Sequence, residues 1–317
     1  MILLFLHWLH FLYYLHVQNQ KMKRTILISL SVLLAVAMLG SVAIYAVSER
    51  KLRHAYPVDE SRLALSLDGA SAVRGAHLVK AIGACTLCHG DDLGGSIYAD
   101  MGPIGYVAGP NLTRGRGGAA ARNSIADFVR AIRYGIRQDG TSLIAMPSEV
   151  YTNMNDADLA SIIAYLQAIP PVDREMPRSH FKPLGRALLA TGRLNILVAP
   201  KTRHPGQPVS VPAIASAEYG RYLADVSGCH GCHGHGLSGG VVAGPPGLPP
   251  AANLTPAGIG AWAEADFVRA MRQGQRPDGK KINEFMPWKQ YGAMSDDELR
   301  AIWLYLRSVP AKASGNK

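Results

Sequence analysis

Cys85-Thr86-Leu87-Cys88-His89 and Cys229-His230-Gly231-Cys232-His233 are two copies of one five-residue pattern, 144 residues apart. Together they contain all four cysteines of the 317-residue chain. In each copy two thiols stand three positions apart, and a histidine directly follows the second thiol. This spacing can present two sulfur atoms and an imidazole to the same bound group. The group that these stretches hold decides the fold around them.

The Cys-x-x-Cys-His pattern is the attachment signature of c-type haem. Its two thiols bond the two vinyl groups of one porphyrin, and the adjacent histidine, here His89 or His233, reaches the iron. The alternatives are a zinc site made from both cysteine pairs, a thioredoxin-like redox pair, or structural disulfides. Zinc does not require a histidine after each pair, and each motif lies in its own repeat. We therefore expect two covalently bound haem c groups.

The motifs lie inside two longer repeats. The sequence Ala-Asp-Phe-Val-Arg-Ala-Ile-Arg at residues 126–133 recurs with one change at 265–272, and Asn-Leu-Thr at 111–113 recurs at 253–255. The offset between the copies stays near 140 residues. Such self-similarity indicates two homologous units in tandem.

We place the two domains at residues 63–172 and 213–313. Residues 173–212 between them are rich in proline and basic side chains, and this composition is typical of a linker. The short apolar segment 184–189 predicts that the linker packs partly against a domain.

Each domain is expected to end in an amphipathic helix, because apolar residues recur at i, i+3, i+4 and i+7. These positions are Leu159, Ile162, Ile163 and Leu166 in the first domain and Leu299, Ile302, Trp303 and Leu306 in the second. Asn155 can cap the first helix, and Ser295 with Glu298 forms a capping box for the second. Shorter helices are expected near 71–82, 125–134, 217–226 and 264–273. No stretch alternates convincingly as a strand does, so the predicted fold class is all-α.

Met146 and Met286 are the predicted sixth ligands of the two irons. They follow His89 and His233 by 57 and 53 residues, and each precedes a proline. A methionine thioether opposite a histidine raises the potential of haem iron, which suits an electron carrier. The alternative for an isolated methionine is an ordinary core position. Their equivalent places in the two repeats favour the ligand interpretation.

Residues 25–47 contain no charge and are long enough to cross a bilayer as one helix. Lys21, Lys23 and Arg24 precede them, so we expect the N-terminal side in the cytoplasm and the rest of the chain outside. A signal peptide cleaved after Ala43 is the alternative. The length of the apolar run favours an uncleaved anchor, and both interpretations export the remaining chain.

Residues 1–24 form an N-terminal extension whose apolar stretch is shorter than a spanning helix. We expect translation to begin at Met22, because the basic residues after it open an export signal. The formal net charge of +10 is spread along the chain and forms no dense run. This pattern disfavours a nucleic-acid partner and fits a membrane surface, an acidic protein partner or a basic surface that serves only solubility.

These motifs together resemble tandem class I cytochrome c domains. The resemblance implies that an N-terminal helix with a close-packing glycine crosses a C-terminal helix with an aromatic residue. The corresponding pairs here are Gly75 with Tyr165 and Gly220 with Tyr305.

The same resemblance implies a loop whose backbone carbonyl orients the proximal histidine. Residues 109–112, Gly-Pro-Asn-Leu, match that loop in the first copy. The second copy has Ala252 where Pro110 stands. Because the acceptor is a backbone carbonyl, we expect the hydrogen bond to survive this change.

More narrowly, the arrangement is similar to membrane-bound dihaem cytochromes and to cytochrome subunits of bacterial alcohol and gluconate dehydrogenase complexes, which commonly carry three haem domains. The resemblance implies an electron carrier without catalysis of its own, on the periplasmic side of a bacterial cytoplasmic membrane. Its partners would be a dehydrogenase subunit or quinol and a terminal oxidase or another cytochrome. The alternative is a haem enzyme such as a dihaem peroxidase, which needs an open position at one iron. The paired Met-Pro sequences argue against it.

Overall fold

The chain begins with one long helix, α1 (Ile2–Leu52). The computed structural model describes residues 2–202, 210–242, 244 and 247–315. Most side chains of α1 are exposed up to Val47, whereas Ser48 is fully buried. Of the residues described, only α1 forms a helix with the length and apolar composition to cross a membrane, over Leu6–Leu52. The predicted spanning segment, residues 25–47, lies within it.

The first domain consists of short helices and one antiparallel hairpin. Its elements are α2 (Ala72–His77), α3 (Thr86–His89), β1 (Ser96–Asp100), β2 (Gly105–Gly109), α4 (Ile125–Tyr134), α5 (Ser148–Tyr151) and α6 (Asp156–Ala168). A π-helical turn, Leu78–Ile82, extends α2. The bounds of α4 match the prediction because Ser124 and Asp127 form a capping box at its start and the left-handed Gly135 ends it.

The linker and the second domain continue the helical pattern. Their elements are β3 (His180–Phe181), α7 (Pro183–Ala190), α8 (Ala217–Val226), α9 (Cys229–His233), α10 (Pro256–Ile259), α11 (Glu264–Gln273), α12 (Trp288–Tyr291) and α13 (Asp296–Ser308). The predicted capping box of Ser295 and Glu298 starts α13, and Asn155 caps α6 as expected. The all-α prediction is therefore confirmed for the scaffold.

A small three-stranded sheet, in the order β1-β2-β3, was not predicted. Gly105 of β2 pairs with Phe181 of β3, so the linker adds the third strand. The register between β1 and β2 shifts between Ile97 and Ala99, which breaks the simple alternation of a strand. Five-residue strands with such a bulge leave no periodic signal in the sequence.

The first and last helices of each domain cross at a glycine. A Cβ atom added to Gly75 would lie 2.7 Å from Cβ of Tyr165, so the predicted pair is in contact. At Gly220 an added Cβ would lie 1.9 Å from the carbonyl oxygen of Ala301, and the nearest atoms do not include Tyr305. Both crossings therefore exclude any larger residue.

The two domains share one contiguous cluster of buried apolar side chains. Polar contacts join them as well. Glu298 of α13 accepts a hydrogen bond from Arg74 of α2 at 2.8 Å and lies 2.6 Å from Nε2 of His77. Tyr222 of α8 donates to Asp158 of α6 at 2.6 Å. The crossed helix pairs of the two domains therefore face each other.

The end of α1 is fixed to α7. Arg186 bonds Glu49 at 2.5 Å, and its guanidinium lies 4.5 Å from the ring centre of Tyr45. Lys51 donates to the carbonyl oxygens of Leu189 and Ala190, both at 2.9 Å. A lysine at the C-terminal carbonyls of a helix is favourably placed. The linker therefore joins α1 to the first domain.

Candidate haem sites

The two cysteine motifs occupy equivalent turns of helix. Cys85 directly precedes α3, and the backbone N–H of His89 donates to its carbonyl at 3.0 Å, which places both thiols and the imidazole on one short turn. Left-handed backbone precedes each motif, at Ala84 (φ 47°) in the first domain and Gly228 (φ 77°) in the second. All four cysteines are free of disulfides.

The thiols lie in apolar surroundings. Burial raises the pKa of Cys85 to about 12 and that of Cys88 to about 11. Burial likewise raises the pKa of Cys229 to about 12. Redox-active Cys-x-x-Cys pairs need the opposite shift, toward a thiolate. These cysteines fit covalent attachment of a large apolar group better than a redox pair.

Both motif histidines are buried and oriented by a carbonyl group. Nδ1 of His89 lies 2.8 Å from the carbonyl oxygen of Pro110, and Nδ1 of His233 lies 2.7 Å from that of Ala252. Burial lowers the pKa of both imidazoles. A carbonyl oxygen only accepts, so Nδ1 carries the proton and Nε2 keeps its lone pair for a metal. The predicted bond is present in both domains, and alanine replaces proline without loss of it.

The loops that supply these carbonyls are held by two asparagines. The buried Asn111 accepts from the N–H of Thr113 at 2.8 Å and donates to the carbonyl of Val172 at 2.6 Å. Asn253 makes the same pair of bonds, to Thr255 N–H at 2.9 Å and to a carbonyl after α13. No role was predicted for these asparagines, although their repetition in the two copies is a usable signal.

A tyrosine ties each Met-Pro segment to its cysteine motif. Tyr151 donates to the carbonyl of Gly83 at 2.6 Å, and Tyr291 donates to that of Ser227. Each tyrosine lies five positions after the predicted methionine ligand, and each acceptor lies two positions before the first cysteine. Burial raises the pKa of both phenols, which keeps them as neutral donors.

Met146 and Met286 have matching backbone settings. Both are half-buried and pack against the shared core, two residues before α5 and α12 begin. The carbonyl of Met146 accepts from Ser148 at 2.9 Å, and that of Met286 accepts from Trp288 at 2.8 Å. The equivalence expected from the repeats therefore extends to the backbone that follows each methionine. Their role as iron ligands stays a prediction.

Two further histidines stand close to His233: His230 lies within the second motif, and His235 follows it. His235 is exposed, as expected for a side chain outside the attachment pattern. His230 is only partly exposed and lies 3.1 Å from a carboxylate oxygen of Asp225. His230 is therefore partly covered, because α8 presents an acidic partner to it.

Comparison with known proteins agrees with this geometry. Residues 70–166 match the family described as "Cytochrome C oxidase, cbb3-type, subunit III", and residues 217–310 match the family described as "Cytochrome c".

Similar proteins include the fructose dehydrogenase cytochrome subunit of Gluconobacter japonicus, which is 28% identical over 74% of this chain and 51% of its own length. The cytochrome c subunit of alcohol dehydrogenase (quinone) from Gluconacetobacter polyoxogenes is 30% identical over 77% of this chain and 57% of its own. The gluconate 2-dehydrogenase cytochrome c subunit of Pantoea cypripedii is 29% identical over 75% and 59%. The chain thus spans between half and three fifths of the length of these relatives.

Proposed function

Because residues 70–166 and 217–310 are both cytochrome c domains, which bind haem c covalently, we propose that this chain is a dihaem electron carrier of a bacterial membrane. When bound, haem c supplies an iron that exchanges one electron between its ferric and ferrous states. The protein holds that iron with residues that change little on reduction. It has no catalytic site of its own in this proposal.

The cysteines and histidines of the two motifs fit the binding of haem c. In the first domain Cys85 and Cys88 would attach one haem, and in the second Cys229 and Cys232 would attach the other. His89 and His233 supply an imidazole whose Nδ1 proton is already committed to a carbonyl at 2.8 and 2.7 Å. This matched pair of orienting bonds is the observation that carries the proposal.

Met146 and Met286 would complete the coordination of the two irons. A site filled by protein on both sides favours electron transfer over substrate binding. Tyr151 and Tyr291 support this arrangement, since each fixes the segment after its methionine to the segment before the cysteines. The peroxidase alternative finds no support among the similar proteins described above, which are cytochrome subunits of dehydrogenases.

We place the carrier beside a dehydrogenase subunit, as the names of its relatives suggest. Electrons would enter from that subunit or from quinol and leave to a terminal oxidase or another cytochrome. Helix α1 would serve as an uncleaved anchor, with Lys21, Lys23 and Arg24 on the cytoplasmic side. Both cytochrome domains would then face the periplasm.

Haem counting and redox titration test the proposal. The pyridine haemochrome assay should find two haems c per chain in the wild type and one after Cys85→Ala with Cys88→Ala. Met146→Ala should leave both haems attached and lower one potential by on the order of 100 mV, a fraction of the roughly 0.8 V that axial ligands span. Met286→Ala should lower the other potential instead.

Two results of these experiments would contradict the proposal. A double cysteine variant that keeps two haems c would refute the attachment sites. A high-spin component in the wild type that binds carbon monoxide and turns over peroxide would show an open iron position, and the enzyme alternative would then replace the carrier.

A further inference from the structure

The linker pairs with the loop that leads to Met146. Here the strap means residues 194–202, which follow α7. Leu197 of the strap forms an antiparallel bridge with Ile144. The N–H of Ala145 donates to the carbonyl of Ile196 at 3.0 Å, and the N–H of Val198 donates to the carbonyl of Leu143 at 3.1 Å. Backbone atoms of the strap therefore hold the residues just before the predicted ligand.

The side chain of Ser142 stabilises this contact between the strap and the loop before Met146. Its hydroxyl accepts from the N–H groups of Val198 at 2.8 Å and Ala199 at 3.0 Å, and it donates to the carbonyl of Leu143 at 2.8 Å. Only 1% of the residue is exposed. One proton and two lone pairs are all that a hydroxyl offers, so every bond it can make is used. Removing this hydroxyl would leave the buried N–H of Ala199 in need of a partner, whereas the N–H of Val198 would keep the carbonyl of Leu143 at 3.1 Å.

The backbone next to Met146 is strained. Ala145 has φ of 61°, in the left-handed region that residues with a Cβ atom rarely adopt. Such a conformation persists only where neighbouring contacts stabilise it. The bond from Ala145 to Ile196 is that contact, and it belongs to the strap.

The strap is itself supported by the membrane-proximal part of the chain. Leu197 is buried in a small apolar cluster with Leu189 of α7, and Leu52 at the end of α1 packs against that cluster. The N–H of Leu194 donates to the carbonyl of Leu188 at 3.0 Å. The loop before Met146 thus rests on α7 and the anchor helix.

The second domain holds its methionine differently. Ser142 forms an antiparallel β-bridge with Ile136 in the first domain. The corresponding β-bridge in the second domain joins Lys281 to Gln275. An exposed lysine therefore stands where the first domain has the buried serine. Among the residues described, the backbone hydrogen bonds of 283–286 stay within 283–288. Phe285, directly before Met286, is 42% exposed.

We propose that the strap is a positioning element that holds Met146 more firmly than Met286 is held. The inference rests on the proposed ligand role of both methionines. It makes the two sites unequal: the thioether of the second domain yields first to a competing ligand, and the thioether of the first domain resists. The linker therefore distinguishes two sites whose cysteines, proximal histidines, methionines and tyrosines stand at equivalent positions.

Imidazole titration of the full-length ferric protein in detergent tests this asymmetry. The weak near-infrared charge-transfer band of methionine ligation should disappear in two phases, with midpoints about tenfold or more apart. Met146→Ala and Met286→Ala each leave one methionine-ligated haem, so these variants assign the two phases. The phase at the lower imidazole concentration should belong to Met286. Ser142→Ala should move only the Met146 phase, to about tenfold lower imidazole, as expected for the loss of a buried hydrogen-bonding partner. Lys281→Ala is the matched control and should leave both phases in place.

Amide hydrogen exchange of the same proteins gives a second readout. Ser142→Ala should accelerate exchange in peptides that cover 142–146 and 194–202 and leave 281–286 unchanged. One phase with equal midpoints in the wild type would overturn the inference, and this measurement does not depend on how the variant folds. A protein that lacks the charge-transfer band altogether would refute the methionine ligands themselves, a different failure from a band that is lost in one step.

Discussion

Asn111 and Asn253 have the same task in the two domains. Each side chain joins the loop that orients a proximal histidine to the chain segment after the last helix of its domain. Asn111 is fully buried and uses its oxygen and its nitrogen at once. The position of the imidazole therefore depends on an amide that does not touch it.

Asn111→Ala should destabilise the first domain by about 2–4 kcal/mol, because the N–H of Thr113 and the carbonyl of Val172 would lose a buried partner. Guanidinium unfolding followed by circular dichroism measures the change. Asn153→Ala, at an exposed site with one long bond to Val150, is the control and should stay within about 0.5 kcal/mol. Equal stability of the two variants would contradict the role given to Asn111.

Helices α2 and α6 can cross closely because Gly75 presents no side chain. A Cβ atom there would lie 1.9 Å from the carbonyl oxygen of Ser161, a distance that the backbone can relieve only if the helices separate. We expect Gly75→Ala to cost about 2–4 kcal/mol in the free energy of unfolding. Val73→Ala, on the same helix at an 83% exposed position, should change it little. A thermal midpoint for Gly75→Ala that matches the wild type would show that the crossing is not tight.

Helices were predictable where local signals agree. Helices α4 and α11 have the predicted bounds, and each ends at a left-handed glycine, Gly135 or Gly274. The sheet was not predictable, because β3 has two residues and belongs to the linker. The carbonyl that orients His89 was predicted from family resemblance, but the strap was not. Its bonds to the loop before Met146 use backbone atoms and the hydroxyl of Ser142, and neither leaves a pattern that sequence periodicity can detect.

The contact between the domains depends on charges removed from water. Burial alone would raise the pKa of Glu298, but hydrogen bonds from His77, the backbone of Ser295 and Arg74 together lower it to about 2. Arg74 and His77 belong to the first domain, whereas Glu298 belongs to the second. The carboxylate thus connects the two halves of the molecule only while it is ionised.

The packing of the whole molecule should therefore weaken in acid. The folded pKa of Glu298, about 2, lies below its ordinary value of 4.5, so its contribution is complete above pH 4.5 and is lost as the pH falls toward 2. The loss should approach 3 kcal/mol at most. Glu298→Gln should be less stable than the wild type at pH 7, and the difference should shrink between pH 5 and pH 2. Asp297→Asn, on the exposed side of the same turn, is the control. A difference that does not depend on pH would contradict this account.

The joint between α1 and α7 bears on how the proposed electron carrier would meet other proteins. Lys51 and Arg186 fix α7 to the end of α1. In a chain held in a bilayer by α1, the first domain is therefore connected rigidly to the membrane helix and not through a flexible linker. The 23 residues from 25 to 47 rise about 35 Å as a helix, enough to cross the hydrocarbon, so the height of the first domain above the lipid is set by helix geometry. A partner protein in the same membrane would meet the first domain at a constant height above the lipid. Encounters then depend on lateral diffusion and rotation about the membrane normal, a search in two dimensions.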